Sequence, residues 1–333
     1  MVAATRSAYQ RLILCLCLLI VLAFPMGCQH PQQLPREVLS VEWGEGSNCL
    51  GRRQLEHDGW RGPSAFTISD GRAYVVDRVN HQLKVWRLST GGLEQSIVLP
   101  DSLALHPYDI ATIGGTLFLA YHDPGSVSRL SRWDGASWQE VGGGEFVIDG
   151  WMQLEPGPDF LLVRVDEPSR ETGWWGELNA AGVLVARSAS LSRAPGPGRF
   201  VWNVVTPGTS SPASDTRHQE LALLDAEGNV TRRATISSGT PTNVVCVLPD
   251  GVSLYVKSYP ISDNPAVTLT RFDASADGLE CSGQWSIDIP DSYRGVRLPP
   301  ASDVLTIEQV SGGKYYEMMY TPDHFVLLEW QLN

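Results

Sequence analysis

Six times in this chain an apolar residue that closes a strand-like run is followed directly by Ser, Asp, Asn or Thr and then by a turn. The pairs are Leu88-Ser89, Trp133-Asp134, Leu178-Asn179, Leu224-Asp225, Phe272-Asp273 and Tyr320-Thr321, and their second members are spaced by 45, 45, 46, 48 and 48 residues. Short polar side chains at such places bond the turn backbone, and the nearby Gly91, Gly135, Gly182, Gly228 and Gly278 supply positive φ. A period of about 40–50 residues with several short strands per unit is the pattern of a β-propeller. With 32 glycines, 22 prolines and no long helical periodicity, the chain reads as all-β: a six-bladed propeller over residues 37–333.

Within that period the strands fall near 65–69, 73–77, 83–88 and 94–99 in the first blade, and near 108–113, 116–121, 127–133 and 138–141 in the second. In the third, Phe146–Leu154 and Phe160–Val165 precede Trp174–Leu178 and Val183–Ala189. The fourth is the least regular, with Phe200–Thr206 and the hairpin Glu220–Leu224 and Val230–Ile236 around the polar stretch Pro207–Asp215. The fifth runs 243–248, 253–259, 267–272 and 284–289, and the sixth 295–298, 303–310, 315–320 and 325–332. Val38–Trp43 is an extra strand, placed to close the ring against the last blade. Pro168–Gly173, Pro207–Asp215 and Pro260–Pro265 are the longest candidate loops, where binding surfaces usually grow.

The segment Gly62–Trp86 carries a family resemblance. Tyr74-Val75-Val76-Asp77, then Asn80-His81-Gln82-Leu83 and Val85-Trp86, stand in the order of an NHL repeat, with Gln82 inserted before the Leu. The stretch resembles about one blade of that propeller family. Asp77, Asn80 and His81 form a polar cluster in the link after the second strand. Their short side chains favour bonding backbone amides over holding a ligand. Trp86 and Trp133 occupy similar places late in third strands, which favours core packing.

The N-terminus reads as a targeting segment. Arg6 and Arg11 precede the unbroken apolar run Leu12–Phe24, whose 13 residues fall short of the ~20 a membrane span needs. Met26-Gly27-Cys28 resembles a bacterial lipoprotein signal, although Pro25 stands where that family prefers Leu. The resemblance implies a signal peptide over 1–27, lipid on Cys28, a Pro-containing tether over 28–36 and attachment to the cell envelope outside the cytoplasm. The formal net charge of -12 and the lack of any Lys/Arg cluster count against nucleic-acid binding. Three of the six cysteines lie at positions 15, 17 and 28, leaving Cys49, Cys246 and Cys281 for the folded part. Cys246 falls on an inner strand and Cys281 near an outer one, roughly 14 Å apart at about 4.8 Å per strand. That separation favours buried free thiols over a disulfide.

Ligands of propellers commonly sit over the central channel, so the entrances of the innermost strands are the candidate site. They hold His106-Pro107-Tyr108-Asp109, Asp149-Gly150-Trp151, Trp202-Asn203, Thr242-Asn243 and Arg294. The channel-mouth set is Asp109, Asp149, Trp151, Asn203, Asn243 and Arg294. Asp109, Asp149, Asn203 and Asn243 offer the hard oxygen ligands calcium prefers. In this they are similar to the gluconolactonase-type six-bladed enzymes, whose metal is held by Glu, Asn and Asp from different blades. Where that family carries Glu before a Gly-Pro, Arg61 stands here before Gly62-Pro63, and a cation there repels a metal.

No metal site and no cofactor is therefore expected, with calcium the one ion the ring could take. Polar residues lining a watery channel are the plainer reading. Ser126, Ser210 and Ser211 lack a nucleophile-elbow pattern, and the seven histidines show no metal-ligand spacing. Gly142-Gly143-Gly144 leads into a strand rather than a helix, so it is a poor phosphate cradle. These readings favour an envelope-anchored, non-catalytic propeller binding a protein, peptide or glycan through loops and channel face. The alternative is an exported metal-dependent hydrolase, lactonase or lyase using Asp109 and Asp149 as acid and base.

Overall fold

The computed structural model describes residues 34–55, 59–157, 159–167, 172–188, 202–205, 219–224, 230–236, 242–250, 253–260, 267–274, 279–290 and 308–332. These residues form five four-stranded antiparallel sheets, one three-stranded sheet and a short two-stranded ribbon. The chain opens with β1 (Arg36–Glu42), followed by the ribbon β2 (Arg53–Leu55) and β3 (Gly59–Arg61). Blade 1 is β4 (Phe66–Ser69), β5 (Arg72–Asp77), β6 (Gln82–Arg87) and β7 (Gly92–Val98). One helical turn, Asp101–Ala104, leads into blade 2: β8 (His106–Ile113), β9 (Thr116–His122), β10 (Ser128–Trp133) and β11 (Trp138–Glu140). Blade 3 is β12 (Trp151–Pro156), β13 (Phe160–Glu167), β14 (Thr172–Asn179) and β15 (Leu184–Ser188). The three-stranded sheet is β16 (Trp202–Val205), β17 (Gln219–Leu224) and β18 (Val230–Ile236). The next blade is β19 (Thr242–Asp250), β20 (Ser253–Pro260), β21 (Val267–Ala274) and β22 (Leu279–Ile287). The final blade contains β23 (Glu308–Ser311), β24 (Lys314–Tyr320) and β25 (His324–Gln331), and β1 pairs antiparallel with β25 to complete it.

The sheets stack face to face, because each apolar cluster joins two consecutive blades. Phe66, Val75 and Trp86 of blade 1 meet Met318, Phe325 and Leu327 of the final blade. Val76, Leu83 and Ile97 meet Ile110, Leu119 and Tyr121 of blade 2, whose other face sets Tyr108, Ala111 and Phe118 against Met152, Leu154 and Val163 of blade 3. Tyr255, Leu269 and Trp285 meet Tyr315, Leu328 and Trp330. A middle strand buried on both faces must be apolar nearly throughout, and β9 (TLFLAYH) and β25 (HFVLLEWQ) are. The outer strand β7 has mainly its penultimate Ile97 to bury and is otherwise largely exposed. Consecutive blades packed through shared apolar faces, with the N-terminal strand closing the last one, make this a β-propeller.

Several sequence expectations need correction. The repeat predicts six four-stranded blades; the described residues give five, with Leu224 in the three-stranded sheet. Tyr320-Thr321 does not belong with the other pairs. It lies in the turn between β24 and β25, where blade 1 has Asp77–Gln82, because the fourth strand of the final blade comes from the N-terminus and not from a hairpin. Val38–Trp43 closes the last blade as expected, as the outer strand of its sheet, and the expected strand 295–298 lies outside the described residues. Phe146–Leu154 is a strand only from Trp151; Phe146 and Ile148 are core residues on a connecting turn. Cys49 is half-buried and Cys281 exposed, both free, so buried thiols are not found at either; the Cys246 side chain and Arg294 lie outside the described residues. No helix among the described residues is long and apolar enough to cross a membrane.

Candidate functional site

Antiparallel pairing divides the connections between two ends of the ring. Tight hairpins such as Ser69–Arg72, Ile113–Thr116 and Ser311–Lys314 lie at one end, the hairpin face. The longer links, including 78–81, 123–127 and 99–105, lie at the other, the loop face, where β8 and β12 begin. His106 and His122 are cross-strand partners at this rim.

At the rim between blades 2 and 3 the first residues of β8 and β12 meet the end of β9. The Trp151 indole, half-buried, packs edge-on against Tyr108 (centroids 5.1 Å apart) and His122 (4.4 Å). Beneath them the Met152 N–H donates to the Tyr108 hydroxyl at 3.1 Å, and that hydroxyl donates to Ser128 Oγ at 3.0 Å. Ser128 Oγ also contacts the Gly150 carbonyl, and His122 Nδ1 at 3.0 Å. A carbonyl can only accept, so the serine proton goes to Gly150, and His122 Nδ1 must carry a hydrogen toward Ser128. The polarity is the reverse of a serine nucleophile with a histidine base, which must take the serine proton. Ser128 is fully buried, and burial pushes the Tyr108 hydroxyl well above its ordinary value. The network is a structural tie between blades with an aromatic rim above it.

Asp109 is not on an open rim. It is 1% exposed; Oδ2 accepts the Leu154 N–H at 2.7 Å and Oδ1 its neighbour Ile110 N–H at 2.8 Å. The inner edge of β12 would otherwise show an unpaired N–H to the channel, and Asp109 covers it. Gln309 of β23 does the same for β4, accepting the Ile68 N–H at 2.6 Å and donating to the Ile68 carbonyl at 3.3 Å. Asp109 therefore does not fit a calcium ligand: both oxygens face protein donors inside the wall. Asp149 is exposed in the turn before Trp151. Asn203 and Asn243 have backbone in β16 and β19, but their side chains lie outside the described residues. Of the predicted set, the structure thus joins Trp151 to a cluster and places Asp109 beneath it. Among the described residues no three His, Cys, Asp or Glu stand together as metal ligands would.

Two features are absent from the sequence reading. Glu155, next to the Leu154 that Asp109 holds, is half-buried on β12, and desolvation raises its carboxyl to about 7, with Asp109 adding to the rise and Arg164 opposing it. Lys84 is fully buried with Asp77, 3.3 Å apart. Asp77 accepts the Gly51 N–H on both oxygens at 3.1 Å, the Asn80 N–H at 3.2 Å and the Asn80 side-chain amide at 2.9 Å. Lys84 donates to the Cys49 carbonyl, and Asn80 to the Gly44 carbonyl at 2.9 Å. A Cβ on Gly51 would lie 2.5 Å from that of Val79, so only glycine brings its N–H this close to Asp77. The Asp77–Asn80 link is therefore the backbone clasp that short polar side chains favour. The lysine is the unforeseen partner, since a Lys on an alternating strand reads as its solvent face.

The chain is similar to known structures only at a distance. No family model matches it, and no curated protein does. Among solved structures it is similar to a hydrazine synthase of Kuenenia stuttgartiensis (13% identity, TM-score 0.43, covering 79% of this chain and 75% of that one). It is also similar to the β-propeller domain of the Trilobed protease from Pyrococcus furiosus (10%, TM-score 0.40, 90% and 83%) and to a glucose dehydrogenase (12%, TM-score 0.47, 90% and 100%). Likeness this distant transfers no activity, and the propeller assignment rests on the sheets themselves.

Proposed function

We propose that the chain is an exported, six-bladed propeller of NHL type, anchored to the envelope through lipid on Cys28, that binds a protein, peptide or glycan on its loop face. The three-stranded sheet supplies the remaining blade. The observation that carries the binding reading is the use made of the polar residues at the inner-strand entrances. Asp109 pairs the edge of β12, and Ser128 and Tyr108 tie blade 2 to blade 3. Beside the exposed Asp149, this rim turns the aromatic surface of Trp151 and His122 toward solvent, suited to stacking.

The test is to expose the mature protein to glycan and peptide arrays, and separately to lactone and glycan substrates with and without calcium. Binding that falls tenfold or more in Trp151→Ala, with no turnover, is the expected result. Calcium-dependent turnover that disappears in Asp109→Asn would replace the binding reading with the hydrolase one.

A further inference from the structure

Where the closing strand begins decides which end of the ring can face a membrane. β1 pairs Arg36 with Glu329 and Glu42 with His324. β25 runs from His324, at the loop face, to Gln331, whose partner Lys314 stands on the hairpin Ser311–Lys314. The chain therefore enters the ring at the hairpin face. Arg36 is fixed there by a 2.9 Å ion pair to the buried Glu329.

We propose that the anchored ring is held hairpin face toward the membrane, with the loop face and its Trp151–His122 rim turned to a partner in the aqueous space. This rests on the reading that Cys28 carries lipid. Eight residue steps separate Cys28 from Arg36, and fully extended they reach at most ~26–29 Å. Turning the loop face down would send the tether back alongside β25. From Arg36, opposite Glu329, back to the level of His324 is five residue steps of that strand, about 17 Å at ~3.4 Å each. More than half of the reach would be consumed before Cys28 passed the loops of that face. With the hairpin face down, no such run is needed. The hairpin tips expose Asp70, Asp134 and Asp159, so on anionic lipid the body stands off at tether length instead of seating on the surface.

The experiment uses the full, lipidated protein taken from host membranes and reconstituted in phosphatidylglycerol/phosphatidylethanolamine vesicles bearing a rhodamine headgroup acceptor. In a Cys49→Ser, Cys281→Ser background, a donor dye is placed by Ala136→Cys on the hairpin face or by Pro124→Cys on the loop face. The background protein without a new cysteine gives the baseline. Energy transfer several-fold stronger from position 136 than from 124 is expected. Inserting about twenty Gly/Ser residues after Pro35 should bring the two together, since a tether that long reaches either face. Equal or inverted transfer with the native tether overturns the orientation while leaving the anchor intact. Loss of transfer from both sites, with the protein in the soluble fraction, overturns the anchor reading and the orientation with it.

Discussion

Removing Asp77 would leave Lys84 charged inside the wall of blade 1 and release the amides of Gly51 and Asn80. Breaking a buried pair from one side costs about 3–5 kcal/mol, so Asp77→Ala should lower the urea midpoint sharply. The double variant with Lys84→Met should recover part of the loss, and equal midpoints for single and double variants would show that the charge is not the cause. Asp109→Ala should also destabilise, by about 1–3 kcal/mol, because it strands the buried Leu154 N–H; a change within ±0.5 kcal/mol would return Asp109 to an open rim. Glu155 gives a pH signature. With its folded-state value raised to about 7 from an ordinary 4.5, the folded protein keeps a proton that the unfolded chain has released between those limits. Stability should therefore fall as pH rises through that window, by about 1–3 kcal/mol, and Glu155→Gln should flatten this part of the profile. Identical profiles in unfolding titrations at pH 5 and pH 8 would mean the carboxyl is already ionised. Asp77 and Asn80 were legible as a clasp because short polar side chains in a link bond nearby backbone. Lys84, Ser128 and Glu155 were not: Lys84 reaches across to Asp77 at the end of the neighbouring strand, Ser128 meets Tyr108 two strands away, and Glu155 feels Asp109 of another blade.

The strands themselves were readable almost to the residue in blades 1 and 2, where turn dipeptides such as Asp70-Gly71 sit between alternating or continuous apolar runs. What the repeat marks is now visible. In three sheets the pairing shifts at the apolar member of the pair: between Glu177 and Leu178, Leu223 and Leu224, and Arg271 and Phe272. In blade 1 the shift comes earlier, between Val85 and Trp86. A bulge there bends and twists the outer hairpin, a way of blunting an exposed edge. Tyr320-Thr321 copies the spacing by chance of length, since loop residues satisfy the same short-polar rule whichever hairpin they end. The Thr321 hydroxyl accepts the His324 N–H at 2.9 Å. β1 is the element on which closure depends. It sets Leu39 and Val41 into the cluster between the final blade and blade 1, and Trp43 after it stacks on Tyr320, 6.1 Å between centroids. Deleting residues 34–42 removes those two side chains, about 1.5–3 kcal/mol each, and bares the edge of β25. The truncated protein should melt earlier and self-associate in sedimentation. A synthetic peptide of residues 34–43 added in excess should restore the monomer, and failure of the truncated form to associate would show the edge is protected in another way.

At the scale of the molecule, the closing strand and the proposed lipid anchor at Cys28 are neighbours in sequence with separate expected roles. Every pairing of β1 begins at or after Arg36, eight steps beyond Cys28, and the tether between them has the polar, Pro-containing composition of a spacer. Loss of the lipid should therefore move the protein without loosening it. Cys28→Ala should appear in the medium or as an unprocessed precursor, while its melting temperature stays with that of the parent. The contrast with the 34–42 deletion separates two roles that a single N-terminal truncation would confuse. A variant that fractionates and is processed like the parent would refute lipidation at Cys28. One that is released but melts markedly earlier would mean that residues before Arg36 also pack on the ring, and the tether would then be part of the fold.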